Sequence, residues 1–140
     1  MTSPSLDAPC DGSADADRPL VLLVDDNEKN LKLAREVLRA GGFRTLEATR
    51  GAEGITLADE HLPDVILMDI RLPDMDGTHA ARKLAGRART AQIPIVALSS
   101  LPIGDSDWFR TYGFVGYLEK PIRVSEFAQQ VRRYCAATGT

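Results

Sequence analysis

The feature that most constrains the fold is an alternation, repeated five times, of short apolar runs with longer segments of helical period. Four of the runs hold Val, Ile and Leu almost continuously in their centres, which is typical of strands covered on both faces. The candidate strands are Leu20–Val24, Phe43–Ala48, Val65–Met68, Ile93–Leu98 and Val115–Leu118. Strand and helix alternating in this order predict right-handed crossovers. We therefore expect a doubly wound α/β domain with five parallel strands and helices on both faces.

The first and last helices have the clearest signals. The first is predicted to begin near Asn27, a favourable cap, and to end at Gly41-Gly42, because glycine suits a left-handed C-terminus. Its apolar positions are Leu31, Ala34, Val37 and Leu38. The last helix repeats apolar residues on one face, namely Val124, Phe127, Ala128, Val131 and Cys135. This spacing predicts that the helix packs on a sheet.

Length and composition allow one domain of common size, since the chain has 140 residues of which 44% are apolar. The polar, acidic start predicts a disordered tail over residues 1–18, ahead of a domain over residues 19–137. That tail lacks the apolar stretch of a signal peptide, and no run approaches the roughly 18 residues that span a bilayer. We therefore expect a cytoplasmic protein that does not enter the membrane.

Charge and cysteine content exclude further classes. The formal net charge is −3 and the Lys and Arg residues are scattered, so we expect no nucleic-acid binding. Cys10 and Cys135 form no CxxC motif and fit a reducing compartment in which neither must pair.

Polar side chains stand at the carboxyl ends of four predicted strands. These are Asp25 and Asp26 after the first, Asp69 after the third, Ser99 after the fourth, and Lys120 one residue beyond the fifth. In a doubly wound fold the functional crevice lies beyond these ends, so all five side chains should converge. Three close carboxylates repel one another, and without a cation at least one pKa should rise above the ordinary value near 4. Magnesium would resolve the conflict, because it prefers about six oxygen ligands and keeps several waters.

Asp69 is the candidate nucleophile, because a carboxylate beside magnesium can attack phosphorus. The transferred group carries charge on three oxygens, which calls for a metal, a cation and fixed hydrogen-bond donors. Lys120 and the Ser99 hydroxyl would supply the last two. Pro121 follows Lys120 directly, and a cis peptide there is one way to orient the lysine. The strand ends thus predict a site of aspartyl phosphorylation.

Four motifs carry these residues: VLLVDDN, ILMDIRLPDMDG, PIVALSS and GYLEKPI. Through them the chain, from Pro19 to Tyr134, resembles the receiver family of response regulators in bacterial two-component and phosphorelay systems. It looks closest to stand-alone receivers and to those attached to hybrid kinases. The resemblance implies a flavodoxin-like (βα)5 fold. It also implies a phosphorylation-activated signalling module rather than an enzyme acting on an external substrate.

The resemblance implies a role for each matching residue. The implied phosphoacceptor is Asp69, and the implied magnesium ligands are Asp26, Asp69 and the Arg71 carbonyl, with Asp25 acting through water. The remaining implied roles are the switch hydroxyl for Ser99, the switch aromatic for Tyr117 and phosphoryl binding for Lys120. The implied partners are a histidine kinase or histidine phosphotransfer protein, and a downstream protein that binds the face of the fourth helix, fifth strand and fifth helix.

Two features depart from the family pattern. Ser99 stands where threonine is commoner, which keeps the hydroxyl but loses the methyl group that restricts its rotamer. We therefore expect a switch that is less sharply two-state. The segment Ser100–Arg110, where a fourth helix belongs, contains Pro102 and Gly104 and has poor helix propensity. A short or mobile helix is expected there, which weakens the usual recognition face.

Simpler interpretations exist for single residues. Asp25 and Asp26 would also suit a cap of the first helix, and Asp69 a turn. Ser99 and Lys120, taken singly, fit ordinary surface residues. Only their combination in the right order favours the phosphorylation site.

For Tyr117 both a structural and a functional interpretation stay open, and four further side chains are assigned no role in the chemistry. Tyr117 also fits half-buried packing on the sheet, and Trp108 fits the core better than an exposed partner contact. His61 and His79 lack ligand spacing and are expected to be solvated, while Cys135 is expected to be a small core residue.

Asp74-Met75-Asp76-Gly77-Thr78 matches the DxDGT pattern of haloacid-dehalogenase-like phosphohydrolases. In those enzymes the motif directly follows a buried strand, whereas here Leu72-Pro73 intervenes after the strand has ended at Asp69. We interpret it as a turn leading into the third helix. A phosphohydrolase using Asp74 and Asp76, and a receiver-like scaffold that binds partners without phosphorylation, are the alternative functions.

Overall fold

The computed structural model of the chain describes residues 18–99, 113–120 and 122–139. Within them, five parallel strands form one sheet in the order β2-β1-β3-β4-β5. The strands are β1 (Leu20–Val24), β2 (Arg44–Ala48), β3 (Val65–Asp69), β4 (Ile95–Ser99) and β5 (Gly116–Glu119). This is the flavodoxin-like strand order, so the predicted doubly wound fold is confirmed.

Four helices lie in the described part of the chain. They are α1 (Glu28–Ala40), α2 (Gly51–His61), α3 (Gly77–Ala85) and α4 (Val124–Gly139). The helix named α4 corresponds to the one predicted last, because the helix expected within Ser100–Arg110 lies outside the described residues. Trp108, Pro121, Cys10 and residues 1–17 of the predicted tail lie outside them as well. None of the helices described is both long and apolar enough to cross a membrane.

Two apolar clusters cover the two faces of the sheet. In β1, alternate side chains enter opposite clusters, with Leu22 in one and Leu23 in the other. The first cluster includes buried residues of α2 and α3, and the second includes buried residues of α1 and α4. Burial of one such leucine contributes roughly 1.5–3 kcal/mol. The continuous apolar runs are therefore explained, because a strand covered on both faces has no polar side to present.

The predicted ends of α1 are confirmed. The Asn27 side chain accepts hydrogen bonds from the backbone N–H groups of Lys29, at 2.9 Å, and Asn30, at 3.3 Å. The helix closes at Gly41, and Gly42 follows with φ +94°, a left-handed conformation that glycine adopts without strain.

The predicted apolar face of α4 is wrong at its first position. Phe127 and Val131 are buried in the second cluster, and Cys135 packs partly against it. Val124, however, is 58% exposed. It is the first residue of the helix, where helical spacing alone does not ensure burial.

Strand boundaries shift by one or two residues from the predicted runs. Phe43 belongs to the core but precedes β2, and β4 begins at Ile95 because Ile93 still closes a turn with Thr90. At the carboxyl ends, β3 and β4 extend one residue further than predicted, to Asp69 and Ser99. The polar residues that end these strands thus belong to the sheet itself.

Candidate functional site

The candidate site lies where the strand order reverses, between β1 and β3. After β1 the chain passes to β2 on one side of it, and after β2 to β3 on the other side. Val24 pairs with Met68, so the residues that follow them, Asp25 and Asp69, meet at the carboxyl edge of the sheet. This is the position at which doubly wound folds bind ligands.

Three carboxylates converge at this edge. One oxygen from each of Asp25, Asp26 and Asp69 lies within 4.8 Å of the others. Asp25 is buried, with 2% of its surface exposed, whereas Asp26 is exposed and Asp69 is intermediate. An all-oxygen set that is open to solvent on one side suits magnesium, which keeps several of its waters. The donor set of the described residues therefore fits the predicted metal.

Lys120 bridges two of these carboxylates. Its Nζ lies 2.8 Å from Oδ2 of Asp25 and 3.0 Å from Oδ2 of Asp69. The backbone of Lys120 is fixed where the chain leaves β5, because its N–H donates to the Ser99 carbonyl at 2.8 Å. The sequence predicts that Lys120 binds a phosphoryl oxygen, and it does not predict this double contact. Lys120 therefore places a positive charge beside two of the three carboxylates.

Burial is the main cause of the raised pKa of Asp69. It raises the pKa of Asp69 above its ordinary value, although hydrogen bonds from Lys120 and from the Arg71 N–H act in the opposite direction. The Asp25 charge adds only the smallest contribution to that rise. An elevated carboxylate pKa was expected from repulsion between acids, and the direction is correct for this residue. The dominant cause is desolvation rather than repulsion.

The pKa of Lys120 is raised as well. Burial alone lowers it, but the hydrogen bonds and charges of Asp25 and Asp69 outweigh that effect. The lysine therefore stays charged, and its cation remains available at neutral pH.

Asp25 is held by α1 rather than serving as its cap. Its Oδ1 accepts the N–H of Asn27 at 2.9 Å, and Nδ2 of Asn30 lies 3.5 Å from its Oδ2. The cap itself is Asn27. The simpler interpretation of the Asp25-Asp26 pair as a helix cap is therefore wrong for Asp25, and the first turn of α1 instead orients its carboxylate.

The loop between Asp69 and α3 is closed at its base by backbone contacts. Arg71 donates its N–H to Oδ1 of Asp69 at 3.2 Å and forms an isolated antiparallel bridge with Asp76. The Gly77 N–H donates to the Ile70 carbonyl at 2.6 Å. The Arg71 backbone, whose carbonyl is a predicted metal ligand, thus lies beside the Asp69 carboxylate.

The DxDGT segment forms helix caps. The Asp76 side chain accepts from the backbone N–H and the hydroxyl of Thr78, both at 3.0 Å, and so caps α3. Asp74 accepts the N–H groups of Gly51, at 2.8 Å, and Ala52, at 3.0 Å. The predicted turn into the third helix is confirmed, and both carboxylates are engaged with backbone donors.

The two predicted switch residues lie on neighbouring strands. Ser99 ends β4, is 6% exposed, and follows Leu98, which pairs with Asp69. Tyr117 lies on β5, pairs with Ala97 and is partly buried against the first apolar cluster. The structure therefore brings Ser99 to the same edge as Asp69. His61 and His79 are exposed, as expected.

Gly77 is a site residue that sequence reasoning used only as part of a turn motif. A Cβ atom at this position would clash with the Asp69 carbonyl oxygen and would lie 2.8 Å from the Ile70 Cα. Contacts this short with backbone atoms force β3, which ends in Asp69, to shift. The Asp-Gly dipeptide was the available signal, but a turn requirement and a steric requirement look alike in sequence.

We expect Gly77→Ala to lower the free energy of unfolding by about 1–3 kcal/mol or more, because overpacking against backbone is relieved only by displacement. The matched control is Gly86→Ala at the end of α3, where the nearest atom to a new Cβ is the Arg82 carbonyl oxygen at 3.4 Å. Urea denaturation of both variants measures the difference. A Gly77→Ala protein as stable as the control would contradict the steric argument.

The fold and this edge of the sheet define a class, and comparison with known proteins gives the same one. Residues 21–132 match the family described as the response regulator receiver domain. The chain is 37% identical over 115 residues to the polar-differentiation response regulator DivK of Brucella anthropi, over 81% of this chain and 94% of that relative. The chain therefore belongs to the response regulator receiver family, a family of signalling domains in two-component systems.

Solved structures agree with this assignment. The chain is 29% identical to the receiver domain of the sensor histidine kinase PA1611 from Pseudomonas aeruginosa, with a TM-score of 0.77 over 85% of this chain and 98% of that one. That structure has a magnesium ion coordinated in its active site cleft. The chemotaxis response regulator CheY4 of Vibrio cholerae gives a TM-score of 0.78 at 23% identity, over 84% of this chain and 98% of that one, which shows the shared fold.

Proposed function

We propose that the chain is a phosphorylation-operated switch in which Asp69 accepts a phosphoryl group from a phosphohistidine donor in the presence of magnesium. The observation that carries this proposal is the convergence of three carboxylates and one lysine at the switch point of the sheet, with Nζ of Lys120 3.0 Å from Oδ2 of Asp69. An acceptor carboxylate, a metal site and a charged donor are what phosphoryl transfer to an aspartate needs.

The magnesium ligands are proposed to be Asp26, Asp69 and the Arg71 backbone carbonyl, with Asp25 acting through water. The acidic cluster of this chain and the magnesium-bound structure of the 29% identical PA1611 receiver both support the assignment. When bound, the ion neutralises charge on the phosphoryl oxygens and on the carboxylates around them.

In the proposed reaction, a carboxylate oxygen of Asp69 attacks phosphorus and forms a P–O bond. The P–N bond to the donor histidine breaks, and its electron pair returns to the imidazole ring. Lys120 leaves Oδ2 of Asp69 and pairs with a phosphoryl oxygen, while it stays close to Asp25. The Ser99 hydroxyl donates to another phosphoryl oxygen. Lys120 thereby exchanges one anionic partner for another without being desolvated again.

Signalling is proposed to follow from movement of Ser99 and Tyr117. A phosphoryl group at Asp69 draws the Ser99 hydroxyl toward it, and Tyr117 on the adjacent strand takes up the space that this movement changes. The output is altered binding of a downstream protein at the face that includes β5 and α4, together with the segment predicted as a fourth helix. Serine instead of threonine at position 99 predicts a less sharply two-state response.

The proposed partners are a histidine kinase or histidine phosphotransfer protein as donor and a downstream protein as target, in the bacterial cytoplasm. The proposed activity is limited to phosphorylation and dephosphorylation of the chain itself. Asp74 and Asp76, the candidate residues of a phosphohydrolase, are engaged as helix caps, which favours the switch over that alternative.

The test is intact mass after incubation with acetyl phosphate, with magnesium in one sample and EDTA in the other. We expect the mass of one phosphoryl group to be gained only in the presence of magnesium, because the carboxylates at the site need a divalent ion to accept further negative charge. A parent protein that gains nothing from acetyl phosphate or from any phosphohistidine donor, and binds no magnesium, would favour the scaffold that acts without phosphorylation.

A further inference from the structure

The N-terminus of α2 is capped by a residue far away in the sequence. The residue at its own cap position, Arg50, makes no side-chain cap hydrogen bond. Its first two N–H groups, of Gly51 and Ala52, donate instead to Oδ1 and Oδ2 of Asp74, at 2.8 and 3.0 Å. A carboxylate is the favoured partner at a helix N-terminus, because it accepts hydrogen bonds there and faces the positive end of the helix dipole.

Asp74 lies at the tip of the loop that starts at the proposed phosphoacceptor. Its neighbour Met75 covers Gly51 so closely that a Cβ atom on Gly51 would lie 2.5 Å from the Met75 Cγ. The tip is therefore attached to α2 both by two hydrogen bonds and by a close contact. This attachment fixes the loop at the end opposite to Asp69.

The base of the same loop is fixed by the Gly77–Ile70 hydrogen bond and by the bridge between Arg71 and Asp76. Arg71 lies within this base and donates its N–H to the Asp69 carboxylate. Because the loop is held at its base and at its tip, the position of the Arg71 backbone depends on both sets of contacts. Release of the tip would leave the base contacts and the packing of Ile70, Leu72 and Met75 against the first apolar cluster to hold it.

We propose that Asp74 is a positioning residue for the metal site, which holds the loop on α2 so that the Arg71 backbone is set in place before magnesium binds. The inference rests on the proposed function, since it takes the Arg71 carbonyl as a magnesium ligand. On this proposal the DxDGT segment of this chain supports the receiver site and takes no part in hydrolysis. Preorganised ligands bind more tightly, because less ordering is needed on binding.

The test compares Asp74→Ala, which removes both acceptor oxygens, with Asp74→Asn, which keeps one. The control is Ala58→Gly, a buried position of α2, which weakens the helix but leaves both hydrogen bonds to Asp74 in place. Isothermal titration calorimetry gives the dissociation constant for magnesium, and the amide chemical shift of Arg71 in the metal-free protein reports its backbone position. Urea denaturation measures how far each variant is destabilised.

We expect Asp74→Ala to weaken magnesium binding about 3- to 10-fold, at or below the low end of the roughly 10- to 100-fold typical when a group that orients a metal ligand is lost. The magnesium dissociation constant of Asp74→Asn should lie between those of Asp74→Ala and the parent. The chemical shift of the Arg71 amide should change in the same order. Ala58→Gly should bind magnesium as the parent does, even where it is the less stable protein. That contrast separates positioning from a general loss of stability.

Two outcomes would overturn the inference, and they are distinguishable. If the parent titrates with magnesium and Asp74→Ala titrates identically with an unshifted Arg71 amide, the positioning role fails and the proposed function stands. If the parent itself gives no magnesium response, the metal site and the positioning role fail together.

Discussion

Asp69→Asn is expected to gain no phosphoryl group from acetyl phosphate and magnesium, under conditions in which the parent protein gains one. The amide matches the carboxylate in size but offers no anionic oxygen to attack phosphorus. The variant should keep its fold, because burial raises the pKa of Asp69 and the neutral amide avoids that desolvation penalty. Intact mass spectrometry measures the adduct, and circular dichroism checks that the variant is folded.

Substitutions of two other aspartates, both distant from the proposed acceptor, are the controls for this experiment. Asp59→Asn changes a residue near the C-terminal end of α2, where it pairs with Arg89 at 3.3 Å, and should gain a phosphoryl group as readily as the parent. Asp74→Asn should still gain one at saturating magnesium. An adduct on Asp69→Asn would overturn the assignment. Turnover of a phosphomonoester that Asp74→Asn loses and Asp69→Asn retains would favour the phosphohydrolase.

The fold and the backbone position of the candidate site follow from the sequence for one physical reason. A parallel strand covered on both faces is apolar almost to its end, so the first polar residue is the last of the strand or the one that follows it. Asp25 and Asp69 are marked in this way, and parallel pairing then brings them to the same edge. No knowledge of side-chain conformation is needed for this step.

Side-chain geometry could not be obtained in the same way. Lys120 has a long flexible side chain whose position depends on which anions are close, and the sequence does not show that it contacts Asp25 and Asp69 together. Asp74 caps a helix 23 residues away, whereas sequence rules for capping look only at residues next to the helix. Val124 has the right spacing for the apolar face of α4 but starts the helix, where spacing does not ensure burial.

The second large effect is expected on stability, when Lys120, which bridges two carboxylates, is replaced. Lys120→Met is expected to lower the free energy of unfolding by about 3 kcal/mol in the absence of divalent ions, since removing one partner of a buried ion pair leaves charge uncompensated. The side chains of Asp25 and Asp69 are only 3% and 13% exposed, so solvent compensates little of this loss. Urea denaturation in EDTA measures it. The acetyl phosphate reaction should also slow, because the proposed cation for the phosphoryl oxygen is gone.

Magnesium should stabilise Lys120→Met more than it stabilises the parent. In the parent the ammonium already neutralises part of the acidic cluster and repels a second cation, whereas in the variant the carboxylates face the ion alone. The control is Arg35→Met, which breaks the more exposed Arg35–Glu47 pair, 2.7 Å long with side chains 31% and 27% exposed. That variant should lose about 1 kcal/mol or less and should respond to magnesium as the parent does. If Lys120→Met is as stable as the parent in EDTA, the lysine does not hold the two carboxylates in solution, and the exchange of partners proposed for phosphoryl transfer would have to be abandoned.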